Sequence, residues 1–235
     1  MTKQIHTISF LSRLLDIIGP RRCAICGSRL AVSEEGLCGV CNRHLPRTEF
    51  WRSPADNRMA RLLWGRIPIE RCAALYYHEG HSQAGRLVYD IKYHHHPELA
   101  RMMGRMMAEE YASFFDGIDL LLPVPLTKKR QRQRGYNQSV EIAKGIAAVT
   151  RLPVEEKAVQ RVSFLGSQTQ KGKWERNENV EGAFQLVDGS RVEGRHILMV
   201  DDVMTTGATI AACAQELLRA RDVAISVLTL CFAKS

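Results

Sequence analysis

The sequence predicts an α/β fold, with a mostly parallel central sheet flanked by helices and a small four-cysteine module at its N-terminal end. Three observations carry this expectation. Apolar runs alternate with amphipathic stretches from "CAALYY" onward, two close cysteine pairs precede them, and the apolar run "HILMV" passes without a spacer into "DDVMTTGAT". Continuous apolar strands separated by helices indicate parallel pairing with both faces covered, because a half-exposed antiparallel strand would alternate instead.

The elements follow in order. In "ISFLSRLLDIIG", Leu11, Leu14, Leu15 and Ile18 share a helical face. The run is too short to span a bilayer, is interrupted by Arg13 and Asp16, and lacks a small-residue cleavage site, so a cytoplasmic protein with no membrane span is expected. Its apolar face packs on the body or meets a membrane surface or partner helix.

Cys23, Cys26, Cys38 and Cys41 then form C-x2-C-x11-C-x2-C. Each pair can converge on one tetrahedral ion from a short knuckle, which points to structural zinc; a redox or iron-sulfur role is the alternative. Four thiolates leave no open position for water, so chemistry is expected elsewhere. Nearby Arg21, Arg22, Arg29, Arg43 and Arg47 suit either a nucleic-acid-binding ribbon or a solvated rim around thiolates. Cys72, Cys213 and Cys231 lie in apolar stretches and read as buried small side chains. The expected division is 1–65 for the N-terminal helix and zinc module and 66–235 for the α/β domain.

In the body, "CAALYY" reads as a strand, "SQAGRLVYDIKY" as a helix with Ala84, Leu87, Val88 and Ile91 inward, and "ELARMMGRMMAEEYASFF" as a second helix with methionine core filler. "GIDLLLPVP" is a strand ended by proline, "NQSVEIAKGIAAVT" a helix, "GRHILMV" a strand, "IAACAQELLRA" a helix and "DVAISVLTLC" the last strand. In this architecture ligands gather beyond the carboxyl ends of the strands.

That is where "DDVMTTGAT" falls. Backbone N–H groups at the helix start can surround a phosphate, Thr205, Thr206 and Thr209 add hydroxyl donors, and Gly207 lets the backbone come close. Asp201 and Asp202 are acceptors, so they suit sugar hydroxyls or a hydrated magnesium ion. A ligand with both a phosphate and a vicinal diol satisfies both halves, as ribose 5-phosphate does. The segment is neither a Walker loop nor G-x-G-x-x-G. A formal charge of +8, from 33 Lys and Arg against 25 Asp and Glu, favours anionic partners without choosing between small phosphates and nucleic acid.

An apolar strand, two acids and T-T-G-x-T resemble the signature of the type I phosphoribosyltransferases. With the cysteine module, "YDIKY", "PVPLTKKRQRQRGYNQ" and "QTQKGKWERNENVEGAF" in the same order, the chain resembles the ComF/GntX-type family over nearly its whole length. That resemblance implies a phosphoribosyltransferase-like domain, with Asp201 to Thr209, including Val203, Met204 and Ala208, around ribose and its 5-phosphate. Pro123 to Gln138 would lie by the pyrophosphate. The implied ligands are 5-phosphoribosyl 1-diphosphate with magnesium and a nitrogenous base, in a setting of competence or growth on DNA.

Other cations would complete the site. Lys128, Lys129, Arg130, Arg132 and Arg134, with Gly135, can meet departing pyrophosphate, or RNA or DNA backbone. "SQTQKGKWERNEN" reads as a mobile lid, with Lys171, Lys173 and Arg176 as anion contacts and Trp174 stacked on a base or anchoring the loop. Arg161 is a further family-like position, and Lys92 can reach the same anion. Asp201, Asp202, Arg134 and Lys173 are the candidate catalytic residues, for glycosyl transfer at carbon 1. The rival expectation is an accessory protein that binds a phosphorylated ligand, DNA or a DNA-processing protein without turnover.

Overall fold

The computed structural model describes residues 19–79, 82–162 and 182–233. The chain divides into two compact units, Met1–Leu45 and Pro46–Ser235. In the first, an antiparallel bridge between Arg22 and Arg29 closes the first cysteine knuckle, with Gly27 at φ 72° in its turn. The second knuckle opens helix α1 (Gly39–His44), whose N-cap is Cys38.

The second unit is built on a four-stranded, wholly parallel sheet. Its strands are β1 (Arg71–His78), β2 (Leu120–Pro123), β5 (His196–Met204) and β6 (Ala224–Ala233), in the spatial order β1-β6-β5-β2. Short β3 (Val159–Arg161) and β4 (Phe184–Leu186) form a separate antiparallel pair. Ile197, Leu198, Met199 and Val200 on β5 are all fully buried, as the unbroken apolar run requires of a strand covered on both faces. Helices α3 (Gln83–Tyr93) and α4 (Pro97–Glu110) follow β1, α6 (Gln138–Thr150) follows β2, and α7 (Ala208–Leu217) links β5 to β6. Met102, Met103 and Met107 of α4 are buried, while the Tyr76 hydroxyl donates to the sulfur of Met106 at 3.4 Å.

Residues 46–65 pack on the sheet: Phe50 meets Tyr77 and Phe232 edge-on at 5.6 and 5.5 Å, and Thr48 donates to the Ala74 carbonyl. Asn57 caps helix α2 (Arg58–Leu63) by accepting from the N–H groups of Met59 and Ala60, and its amide donates to the Cys72 carbonyl at 2.9 Å. These long-range bonds hold residues 46–65 within the second compact unit, Pro46–Ser235.

The basic run "KKRQRQR" forms helix α5 (Lys128–Arg134), capped by the Thr127 hydroxyl and closed by Gly135 at φ 78°. A threonine N-cap, good helix formers and a left-handed glycine provide the local reasons.

Candidate functional site

The four-cysteine centre is described within the first unit alone. The Cys23, Cys26, Cys38 and Cys41 sulfurs all lie within 4.8 Å of one another, and Cys26 Sγ is 3.8 Å from Cys38 Sγ. Tetrahedral zinc with Zn–S bonds of about 2.3 Å separates its sulfurs by about 3.8 Å, so the donor set fits that ion. All seven cysteines are free, which leaves these thiols available as ligands. The Glu34 carboxylate braces the second knuckle by accepting from Gly39 N–H at 2.6 Å and Ala31 N–H at 2.8 Å. A hydrogen bond from Ser28 is the main cause that brings the Cys26 thiol down to about 6, whereas burial pushes Cys41 up.

In the second unit, the carboxyl end of β5 brings together the acids and the turn. Adjacent strand residues point to opposite faces, and the two carboxylates find different partners. Asp202, 7% exposed, accepts an ion pair from Lys92 Nζ at 3.0 Å. Lys92 sits in the last turn of α3, where the helix dipole also favours a cation. Asp201 Oδ1 accepts from the Ser139 hydroxyl at 2.9 Å and from Asp202 N–H at 2.9 Å. Burial, and then the charge of Asp202, push Asp201 up to about 7 despite these bonds. Burial is also the first cause raising the thiols of Cys213 and Cys231; Asp201 adds to it at Cys213 and Asp202 at Cys231.

The raised Asp201 has a signed consequence. Its folded-state value lies above the ordinary aspartate value near 3.8, so the fold favours the protonated acid; that contribution is complete below about 4 and is lost as pH rises toward 7. Unfolding by urea across that window is expected to show stability falling with pH, and Asp201→Asn to flatten the fall. An unchanged slope in the variant would locate the dependence elsewhere.

Thr205 and Thr206 are exposed and Gly207 stands at φ 76° just before α7, whose N-cap carries no side-chain hydrogen bond. The positive φ is what favours glycine here; a Cβ on Gly207 would lie 2.8 Å from Met204 Cε and 3.0 Å from Leu63 Cδ2, side-chain ends that would have to give way. Met204 is buried, Val203 and Ala208 are half-buried, and Thr209 lies in the first turn of α7. Two supports were not legible in sequence: Leu63 packs beneath the turn, and Arg66 donates to the Thr206 carbonyl at 2.9 Å.

Arg161 is half-buried, and burial and then the charge of Arg130 hold its guanidinium below the usual value while Asp201 acts the other way. Arg130, Arg161 and Asp201 therefore share one electrostatic neighbourhood. The Arg134 guanidinium donates to Gln138 Oε1 at 2.8 Å and lies 5.5 Å from the Tyr93 ring centre. Lys128, Lys129 and Arg132 are exposed on α5 and make no ion pair with any described residue. Lys171, Lys173, Trp174 and Arg176 lie outside the described residues. Among the described residues, the four-cysteine group alone gathers three or more metal-ligating side chains, so the acids do not form a closed cage for a second ion.

No protein-family model matches the chain. It is 29% identical to the DNA utilization protein YhgH of Escherichia coli K12, over 90% of this chain and 97% of that protein. Identity to competence protein F of Haemophilus influenzae is 24%, over 80% of this chain and 87% of that protein. Competence protein ComFC of Bacillus subtilis is 32% identical over 47% of this chain and 43% of that protein. Among solved structures, glutamine phosphoribosylpyrophosphate amidotransferase from B. subtilis covers 60% of the chain, with 30% of its own chain aligned, 22% identity and a TM-score of 0.40. Hypoxanthine phosphoribosyltransferase from Staphylococcus aureus covers 57%, with 62% of its own chain aligned, 19% identity and a TM-score of 0.35. No helix among the described residues is long and apolar enough to cross a membrane. Along nine-tenths of its sequence, the chain is similar to a protein named for DNA utilization.

Proposed function

We propose that this chain is a ComF/GntX-type accessory protein of DNA uptake or utilisation, and that it binds a phosphorylated ribose ligand at the carboxyl end of β5. The observation that carries the reading is the direct passage from the Lys92–Asp202 pair through the glycine turn into the N-terminus of α7, where Thr206 Oγ1 accepts from Ala208 N–H at 3.4 Å. The turn offers backbone N–H groups and the Thr205 and Thr206 hydroxyls to phosphate, while Asp202 accepts from sugar hydroxyls. Ligand binding must then loosen or share the Lys92 pair, and Lys92 can follow the incoming anion. Similarity to proteins named for DNA utilization and competence supports the biological setting.

A second reading is favoured by the Arg130–Arg161–Asp201 neighbourhood, which collects cationic charge beside the same strand end. In that reading the donor is 5-phosphoribosyl 1-diphosphate, a nitrogenous base attacks carbon 1, and pyrophosphate leaves toward α5 with Arg134 and its basic neighbours, aided by Lys173. Alignment and stabilisation of leaving-group charge would supply the acceleration. Magnesium would arrive with the diphosphate and neutralise part of its charge. Zinc held by the four cysteines would stabilise the first unit and take no part in the chemistry.

Calorimetry with 5-phosphoribosyl 1-diphosphate, followed by mass detection of nucleotide product across a set of bases, separates the readings. Binding without product is expected. Base-dependent nucleotide and pyrophosphate formation would replace the accessory reading with the transferase.

A further inference from the structure

The turn at the end of β5 is held from a distant part of the sequence. Arg66 follows α2 and Gly65, which stands at φ 74°, and its Nη1 donates to the Thr206 carbonyl at 2.9 Å. The base of this arm is fixed. Arg66 N–H donates to the Leu63 carbonyl at 3.0 Å, Leu63 is fully buried, and Asn57 ties the start of α2 to the Cys72 carbonyl on β1. No described carboxylate pairs with Arg66, so its guanidinium is not drawn away from the turn.

That bond sets a direction. A trans peptide is planar, with its C=O and N–H on opposite sides, and no described peptide bond is cis. Drawing the Thr206 carbonyl toward Arg66 therefore turns the Gly207 N–H, which belongs to the same peptide, the other way. Glycine admits φ of either sign, so this peptide could turn over at little steric cost if nothing held it. Gly207 is buried, and its N–H meets no acceptor among the described residues, whereas the next one, on Ala208, is taken by Thr206 Oγ1 at 3.4 Å. A buried backbone donor with no protein partner is uncommon and costly, because it has given up water without return. Beside the start of α7, the acceptor that suits it best is an anion.

We infer that Arg66 is a positioning residue of the phosphate site: it holds the Thr206–Gly207 peptide with the Gly207 N–H turned toward the ligand's phosphate. The inference rests on the phosphorylated-ribose reading above. Arg66 acts through the peptide, so its contribution is geometric and persists in salt that screens exposed charges.

The test compares the full chain with Arg66→Met, which keeps much of the aliphatic length but cannot donate, and with Arg66→Lys, which can still donate to the carbonyl. In ligand-free protein carrying isotope-labelled glycine, Arg66→Met should move the Gly207 amide resonance while those of Gly104 and Gly145, where α4 crosses α6, stay in place. Arg66→Lys should lie closer to the parent. Calorimetry with 5-phosphoribosyl 1-diphosphate and magnesium should show binding about fivefold weaker in Arg66→Met at low and at high salt, with part of the loss recovered in Arg66→Lys. Thermal unfolding of the three chains should nearly coincide, since Arg66 is exposed. An unmoved Gly207 amide or unchanged affinity in Arg66→Met, a loss confined to low salt, or an Arg66→Lys chain no better than Arg66→Met would each overturn the positioning role and leave the ligand site standing. No binding by the folded parent would instead remove the ribose-phosphate reading, and the inference with it.

Discussion

A Cys41→Ser chain is expected to leave purification with essentially no zinc, against one zinc per chain for the parent. Cys41 is only 5% exposed and belongs to a sulfur cluster whose spacing matches one tetrahedral ion. Its own N–H also approaches Cys38 Sγ at 3.4 Å, so the same short helix start organises two ligands. A unit as small as Met1–Leu45 buries little apolar surface, and structural zinc is worth about 10 kcal/mol or more in peptides of this kind. Loss of the metal should therefore open this unit to proteolysis while the second unit, with its own buried sheet, still unfolds cooperatively. Elemental analysis and limited proteolysis read both parts. A metal-free parent protein with a protease-resistant first unit would contradict the assignment.

Gly145→Ala is expected to destabilise the second unit by about 3 kcal/mol or more. A Cβ at Gly145 would lie 2.0 Å from the Arg101 carbonyl oxygen, and one at Gly104 would lie 2.1 Å from the Ile142 carbonyl oxygen. Helices α4 and α6 thus meet backbone to backbone, and no rotamer change can relieve the clash. Alanine in a helix gains up to about 1 kcal/mol over glycine, which is too little to offset separating the pair. The urea midpoint should fall sharply. An unchanged or higher midpoint would mean that the helices do not cross this closely.

The main strands and helices were legible because burial on both faces leaves unbroken apolar runs, as in Ile197 to Val200, and because amphipathic stretches separate them. The turn at Gly207 was legible for a local reason, since a left-handed residue before a helix calls for glycine. Contacts between distant residues were not. Asn57 reaches Cys72 across 15 positions, Ser139 reaches Asp201 across 62, and Arg66 reaches Thr206 across 140. No periodicity encodes such pairings. Helix α5 was hidden by composition, since seven polar and charged residues bury no face, although Thr127 and Gly135 already marked its ends. The alternation of Asp201 and Asp202 followed from strand geometry, but their partners, Ser139 and Lys92, required the fold.

The central claim, a phosphorylated ribose ligand held at the end of β5, is tested most directly by titrating 5-phosphoribosyl 1-diphosphate with magnesium into the parent chain and into Asp202→Asn by calorimetry. Asp202 is nearly buried and paired at 3.0 Å with Lys92, so the nearly isosteric change removes charge and one acceptor oxygen without opening a cavity. Binding by the parent and a loss of about tenfold or more in the variant, with thermal unfolding only modestly shifted, is the predicted result; hydrogen bonds to a charged group are worth about 1.5–3 kcal/mol. Equal affinity in the two chains, or no binding by the folded parent, would contradict it.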